Sequence, residues 1–119
     1  MLIKCSSHVE FKQFLQKQVP LLWAVDSKRL MSFSGSLTKV WFLNLDPAIH
    51  LLSQRFSSIG RPVKYDPVCI LRSLVLMLDL GYHSVTKWVQ ALRSDDILAV
   101  LSGFEPHNTP GVGTFYDFF

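Results

Sequence analysis

The sequence predicts an all-α protein, a compact bundle of about six short helices. Three observations predict it. Apolar residues recur at helical spacing along most of the 119-residue chain. Pro and Gly punctuate it at short intervals. No stretch alternates apolar and polar residues long enough to build a sheet, and there is no internal repeat or low-complexity tract.

The first element runs from His8 to about Val19, with Phe11, Phe14, Leu15 and Gln18 at helical spacing, and Pro20 is expected to stop it. Residues 21 to 35 read as a Trp-containing link followed by a short helix opened by Asp26 and closed near Gly35. Leu37 to Leu45 fits a strand or a helix, with helix preferred. Asp46-Pro47 then looks like a cap followed by Pro at the first helical position, and Ile49, Leu51, Leu52 and Phe56 carry an amphipathic helix up to Gly60. Gly60-Arg61-Pro62 reads as a linker.

A second Asp-Pro pair, Asp66-Pro67, opens a helix to about Leu80, with Gly81 suited to a left-handed cap. That helix is apolar nearly all round and is expected to lie at the centre of the core, with Arg72 and Asp79, seven apart, forming a narrow polar stripe. Its length falls short of the roughly 20 residues a bilayer needs, so no membrane partner is expected. Ser84 opens the next helix, which carries Val85, Trp88, Val89 and Leu92. A helix from Ser94 or Asp95 to Gly103 follows, with acidic residues at its positive end. After a turn at Glu105 to Thr109, a last helix begins near Gly113-Thr114. Trp88, Leu74 and Leu78 are assigned to the core.

Composition narrows the function. With 49% hydrophobic and 18% charged residues, the chain is too apolar for a disordered tail and too lightly charged for a coiled coil. Some of its apolar surface is expected to meet a partner. Residues 1–64 hold nine basic side chains against three acidic ones, whereas residues 65–119 hold three against six. A basic first half suits contact with phosphates, and lysines that simply solvate helix faces give the same count. Cys5 and Cys69 stand far apart with no CxxC pair and no signal peptide, which suggests a reducing, cytoplasmic compartment.

No catalytic constellation emerges. Ser84-Val85-Thr86-Lys87 matches a bare SxxK pattern, but none of the companions a serine nucleophile needs is present, so Ser84 reads as a helix cap. Gly111-Val112-Gly113 follows a turn rather than a strand and lacks the further glycines or lysine of a phosphate loop. Asp95 and Asp96 are adjacent on one helix and point about 100° apart, which suits capping better than a shared metal. His8, His50, His83 and His107 are too scattered for metal ligands. The expectation is therefore no catalytic residue, no metal ligand, no cofactor and no small-molecule substrate.

The last three helices, joined by tight breaks, give the chain a helix-turn-helix-like C-terminal part, although the same spacing fits any three-helix packing unit. The final helix, GTFYDFF, has no Arg, Lys, Asn or Gln to read bases. DNA contact is accordingly expected at phosphates, and the residues singled out are Arg61, Lys64, Arg72, Lys87 and Arg93.

One ordered set of motifs goes further. A Gly-Arg-Pro linker (60–62) is followed by Tyr-Asp-Pro (65–67) opening a leucine-rich helix, then Gly81-Tyr82. Leu-Arg-Ser-Asp (92–95), Leu-Ser-Gly-Phe (101–104) and Thr-Pro-Gly-Val-Gly-Thr-Phe (109–115) complete it. Over residues 60–119 this resembles the N-terminal domain of bacterial insertion-sequence transposases of the DDE, RNase-H-like class, and residues 21–59 are similar in character. The resemblance implies a basic N-terminal helical segment (1–59) and a transposase-like helical domain (60–119) in a single compact unit. It also implies association with double-stranded DNA at transposon ends, in a bacterial cytoplasm and on the nucleoid. A homo-oligomer or a complex with full-length transposase is the partner expected besides DNA. In such transposases a catalytic domain with an acidic triad and two Mg²⁺ follows this region. None of the triad positions falls in this chain, so the resemblance implies a chain interrupted before its catalytic half, with Mg²⁺ needed only by the missing part. Phe118 and Phe119 are then expected to be exposed and to favour self-association or poor solubility.

Overall fold

The computed structural model describes residues 5–57 and 64–119. Among them there is no strand. The order is α1 (His8–Ser32), α2 (Ser34–Phe42), a 3-10 turn (Asp46–Ala48), α3 (Ile49–Ser57), α4 (Pro67–Asp79), α5 (Val85–Ser94), α6 (Asp96–Ser102) and α7 (Val112–Phe118). The all-α expectation holds, with seven α-helices among the described residues.

The start of α1 is a capping box. The Glu10 amide donates to Ser7 Oγ at 3.2 Å, and the Ser7 amide donates to Glu10 Oε1 at 3.2 Å. Contrary to expectation, Pro20 does not stop the helix. Proline deprives the Gln16 carbonyl of its helical donor. Both residues are exposed, so water can take that donor's place. The break comes instead at Asp26 (φ −154°, ψ 86°), whose carboxylate accepts from the Arg29 amide at 3.1 Å and so caps the second half of the helix. The short helix expected to open at Asp26 is present as this second half, capped by Asp26; it follows the first half without a gap and ends at Ser32, before Gly35 is reached. Leu37 to Phe42 is helical, in α2.

The two Asp-Pro pairs share a task that their local pattern does not announce. Asp66 Oδ1 caps α4 by accepting from the Val68 amide at 2.9 Å, while its Oδ2 accepts from the Ser6 amide at 2.8 Å. Asp46 opens only a 3-10 turn, and its Oδ1 accepts from the His8 amide at 2.8 Å. Two distant carboxylates thus satisfy amides at the entry to α1. α4 closes as predicted. Gly81 has φ 80°, and its amide and that of Tyr82 return to Leu78 and Met77 in a Schellman arrangement. The Gly60-Arg61-Pro62 linker lies outside the described residues.

The core is continuous across the two halves of the chain. Phe11, Leu15, Leu22, Leu30 and Val40 from the first half pack with Trp88, Leu92, Leu101 and Phe115 from the second. The helix at its centre is α6, not α4 alone. Ile97 to Ser102 are all buried, and α6 packs against α1, α2, α4 and α5. α4 buries Leu74 but leaves Leu78 70% exposed, beside Val75 on the same outward side, so Leu78 does not belong to the core. An all-apolar helix does not announce which side its neighbours will leave uncovered. Nor is there a polar stripe: Arg72 is fully buried, whereas Asp79 lies near the surface and accepts from Lys39 Nζ at 2.8 Å. Phe118 is likewise not free, since its ring stacks on Phe56 with centroids 5.6 Å apart. Phe119 is exposed as expected.

Candidate nucleic-acid interface

α5 is a two-faced helix, and the division follows from its sequence. Trp88, Val89 and Leu92 are buried and fix its orientation on the core. The Trp88 indole N–H donates to Ser73 Oγ at 2.8 Å, both side chains fully buried, which locks the rotation of α5 against α4. Ser84 caps the N-terminus, its Oγ accepting from the Lys87 amide at 3.3 Å. The SxxK pair thus acts as a cap with an exposed lysine.

With that stripe buried, Thr86, Lys87, Gln90, Arg93 and Ser94 are exposed. At 100° per residue they span an arc of about 120° centred on Gln90. Lys87 and Arg93 flank Gln90 at three residues on either side, and no acidic residue lies in α5. The face offers two cations and three neutral hydrogen-bonding groups, the chemistry that binds phosphate oxygens. Beside its C-terminal end lies a depression whose lining includes Ser94 of α5 together with Asp26, Arg29, Asp95, Asp96 and His107. Asp95 is already engaged there: Oδ1 caps α6 by accepting from the Ile97 amide at 3.0 Å, and Oδ2 pairs with Arg29, whose pKa the Asp95 hydrogen bond raises further.

The remaining candidates are scattered. Lys64 is exposed, with Nζ 5.3 Å from the centroid of the Tyr65 ring. The Tyr65 hydroxyl donates to the Thr109 carbonyl at 3.0 Å, which ties this segment to the turn before α7. Arg61 lies outside the described residues. Arg72 must be withdrawn as a phosphate ligand. Its side chain is fully buried beneath α1 and α6, so no phosphate reaches it. Thr86 and Gln90 join Lys87 and Arg93 on this face, and the helical spacing of Gln90 from all three is the signal in the sequence that marks them. α7 presents Tyr116 and Asp117 to solvent and buries Phe115, and no Lys or Arg lies in it.

Among the described residues no group of three or more His, Cys, Asp or Glu side chains could hold a metal ion, and no helix is long and apolar enough to cross a membrane. Comparison with protein-family models, with curated proteins and with solved structures gives no match.

Proposed function

We propose that the chain is a DNA-binding and assembly module of a transposase, serving transposition of an insertion sequence. The observation that carries this reading is the exposed face of α5, where Lys87 and Arg93 bracket Gln90 with no acid on the helix. The ordered motifs over residues 60–119 supply the kind of protein. Lys87 and Arg93 are six residues apart, about 9 Å along the helix axis, and each neutralises a backbone phosphate. Thr86, Gln90 and Ser94 add neutral hydrogen bonds, and Lys64 adds a further cation. Such contacts position the module on duplex DNA and supply little base discrimination. The partner is the DNA of the transposon ends, and the setting is the bacterial cytoplasm.

Titration of two labelled duplexes, one of mixed sequence and one carrying an insertion-sequence terminal repeat, tests this at several salt concentrations. Affinity should fall steeply with salt. Replacing both cations (Lys87→Ala, Arg93→Ala) should flatten the logarithmic slope by about 2, at roughly 0.9 per phosphate contact. Binding with no salt dependence, or with a slope the double variant leaves unchanged, defeats the assignment to α5.

A second reading, a non-catalytic protein-interaction module that oligomerises with or regulates full-length transposase, is favoured by one observation. Large apolar side chains on α1 and α2 stand in solvent, with Val25 86% and Phe42 75% exposed. Sedimentation over a range of concentrations separates the two readings. A concentration-dependent dimer with no salt-dependent DNA binding supports the second.

A further inference from the structure

α1 and α2 enclose an open groove of 390 Å³, with Leu15, Val19, Pro20, Leu37, Trp41 and Phe42 among its lining residues. Its polar lining is confined to Gln16 and Thr38. Pro20 contributes twice: its ring is part of the wall, and it lies on the same face of α1 as Gln16. Trp23, 52% exposed, sits one turn further along that face and extends the apolar strip. An apolar groove between two helices, with Phe42 standing at its rim, is a shape that takes the apolar stripe of a third helix.

Charge says which helix. Lys12 lies one turn before Gln16 on the groove face, with Nζ 4.8 Å from the centroid of the Trp41 ring. Residues 11–45, which build both walls, contain five basic side chains and one acid, Asp26; Arg29 and Lys39 are paired with Asp95 and Asp79, which leaves Lys12, Lys17 and Lys28 to face an occupant. Lys17 and Lys28 are exposed. A basic helix entering the groove meets like charge, whereas an acidic one meets Lys12 directly and the field of the others at longer range. Single-stranded nucleic acid is less well suited. Its bases would find the Trp41 and Phe42 rings, but among the described residues Lys12 is the one cation seen against the groove wall, too few to track a sugar–phosphate backbone.

We infer that the groove between α1 and α2 is a docking site for an acidic amphipathic helix of a partner protein. This deepens the interaction-module reading and rests on it, and it is independent of DNA binding by α5. The occupant lays apolar residues at i, i+3, i+4 and i+7 along Val19, Leu37, Trp41 and Phe42, and turns its carboxylates toward Lys12.

Two synthetic helical peptides with the same apolar stripe, one flanked by Glu and one by Lys, provide the test by fluorescence anisotropy on the full chain. The Glu-flanked peptide should bind at least about tenfold more tightly than its Lys-flanked counterpart. Phe42→Ala, a change at an exposed side chain, should weaken it by about tenfold, and Lys12→Glu should narrow the preference between the two. Equal binding of both peptides, indifference to Phe42→Ala, or displacement by a thymidine oligonucleotide overturns the inference. If neither peptide binds while the chain dimerises in sedimentation, the acidic occupant is wrong and the interaction reading stands. If there is neither binding nor association, both fall.

Discussion

The guanidinium of Arg72 lies 3.6 Å from the centroid of the Phe11 ring, and both side chains are buried where α4 meets α1. Among the described residues no carboxylate pairs with it. Nη1 reaches the Ser102 carbonyl at 3.4 Å and Cys69 Sγ at 3.6 Å, while Nε and Nη2 have no hydrogen-bond partner among the described residues. Burial lowers the pKa of the group accordingly. The face of Phe11 offers the cation an attractive quadrupole, but that returns only part of the hydration lost.

The stability of two variants should therefore diverge. Arg72→Met fills similar volume with no charge to desolvate and should leave stability unchanged or raise it, by up to about 2 kcal/mol. Arg72→Ala leaves a cavity and should lose about 2–4 kcal/mol. Urea unfolding of the two reads the difference. Equal losses would show that the guanidinium itself holds α1 and α4 together. The DNA salt slope should be the same for Arg72→Met as for the parent.

Ser73 gives the second prediction. Its hydroxyl accepts the Trp88 indole N–H at 2.8 Å with no water access to either. Ser73→Ala should cost about 1–3 kcal/mol, because the indole donor is left buried and unsatisfied. Ser73→Ala combined with Trp88→Phe should lose less than the sum of the single changes, since the orphaned donor goes with the indole. A strictly additive pair in a double-mutant cycle would mean that the hydrogen bond does not orient α5.

These sites show what sequence could and could not reveal. Local signals were legible: the Ser84 and Asp66 caps, the Gly81 turn and the apolar stripe of α5 each arise from neighbours within a few residues. What failed depended on distant partners. Pro20 reads as a stop until one sees that Gln16 is exposed to water. Leu78 reads as core because α4 is apolar all round, and only the absence of a neighbour on that side puts it in solvent. Arg72 reads as a surface cation because nothing local says that α1 and α6 will close over it. The face of α5 is half legible, since the charges of Lys87 and Arg93 draw attention by themselves, while Thr86 and Gln90 are ordinary polar residues that only the helical register places beside them. The groove of α1 and α2 could not be read at all, because it exists only where two separate helices meet.

Gly103 ends α6 at φ 102°, and a Cβ there would lie 2.7 Å from Cys69 Sγ and 3.0 Å from Arg72 Nη1. Backbone and space therefore both demand glycine. Gly103→Ala should destabilise by more than about 1 kcal/mol, opposite in sign to the gain usual where alanine fits. Gly81→Ala, with φ 80° but nothing within 4 Å of its added Cβ, isolates the backbone part. Thermal unfolding should rank Gly103→Ala well below Gly81→Ala. Equal losses would mean that Cys69 and Arg72 move aside freely.

Cys69 supplies a prediction in pH. Burial, assisted by the nearby charge of Asp66, pushes its thiol from 9.0 up to about 11, against the smaller opposing pull of Arg72. The folded state thus disfavours the thiolate more than the unfolded chain does. The linked stability is fully present below about pH 9 and is lost as pH rises toward 11, because the unfolded chain then releases a proton that the native state retains. The whole effect is about 2–3 kcal/mol, at 1.36 kcal/mol per unit. Cys5 is also raised by burial, so the comparison is best made with Cys5→Ser in both proteins. Denaturant unfolding from pH 8 to pH 11 should show the advantage of Cys69 over Cys69→Ala shrinking by that amount across this window. Lysines and tyrosines titrating there contribute alike to both proteins and cancel in the difference. In the parent protein at pH 8, a thiol reagent should label Cys5, which is partly exposed, and reach Cys69 only after unfolding. A difference that stays flat from pH 8 to pH 11, or prompt labelling of Cys69 in the native protein, would place water at that thiol and open the packing of α4 against Gly103.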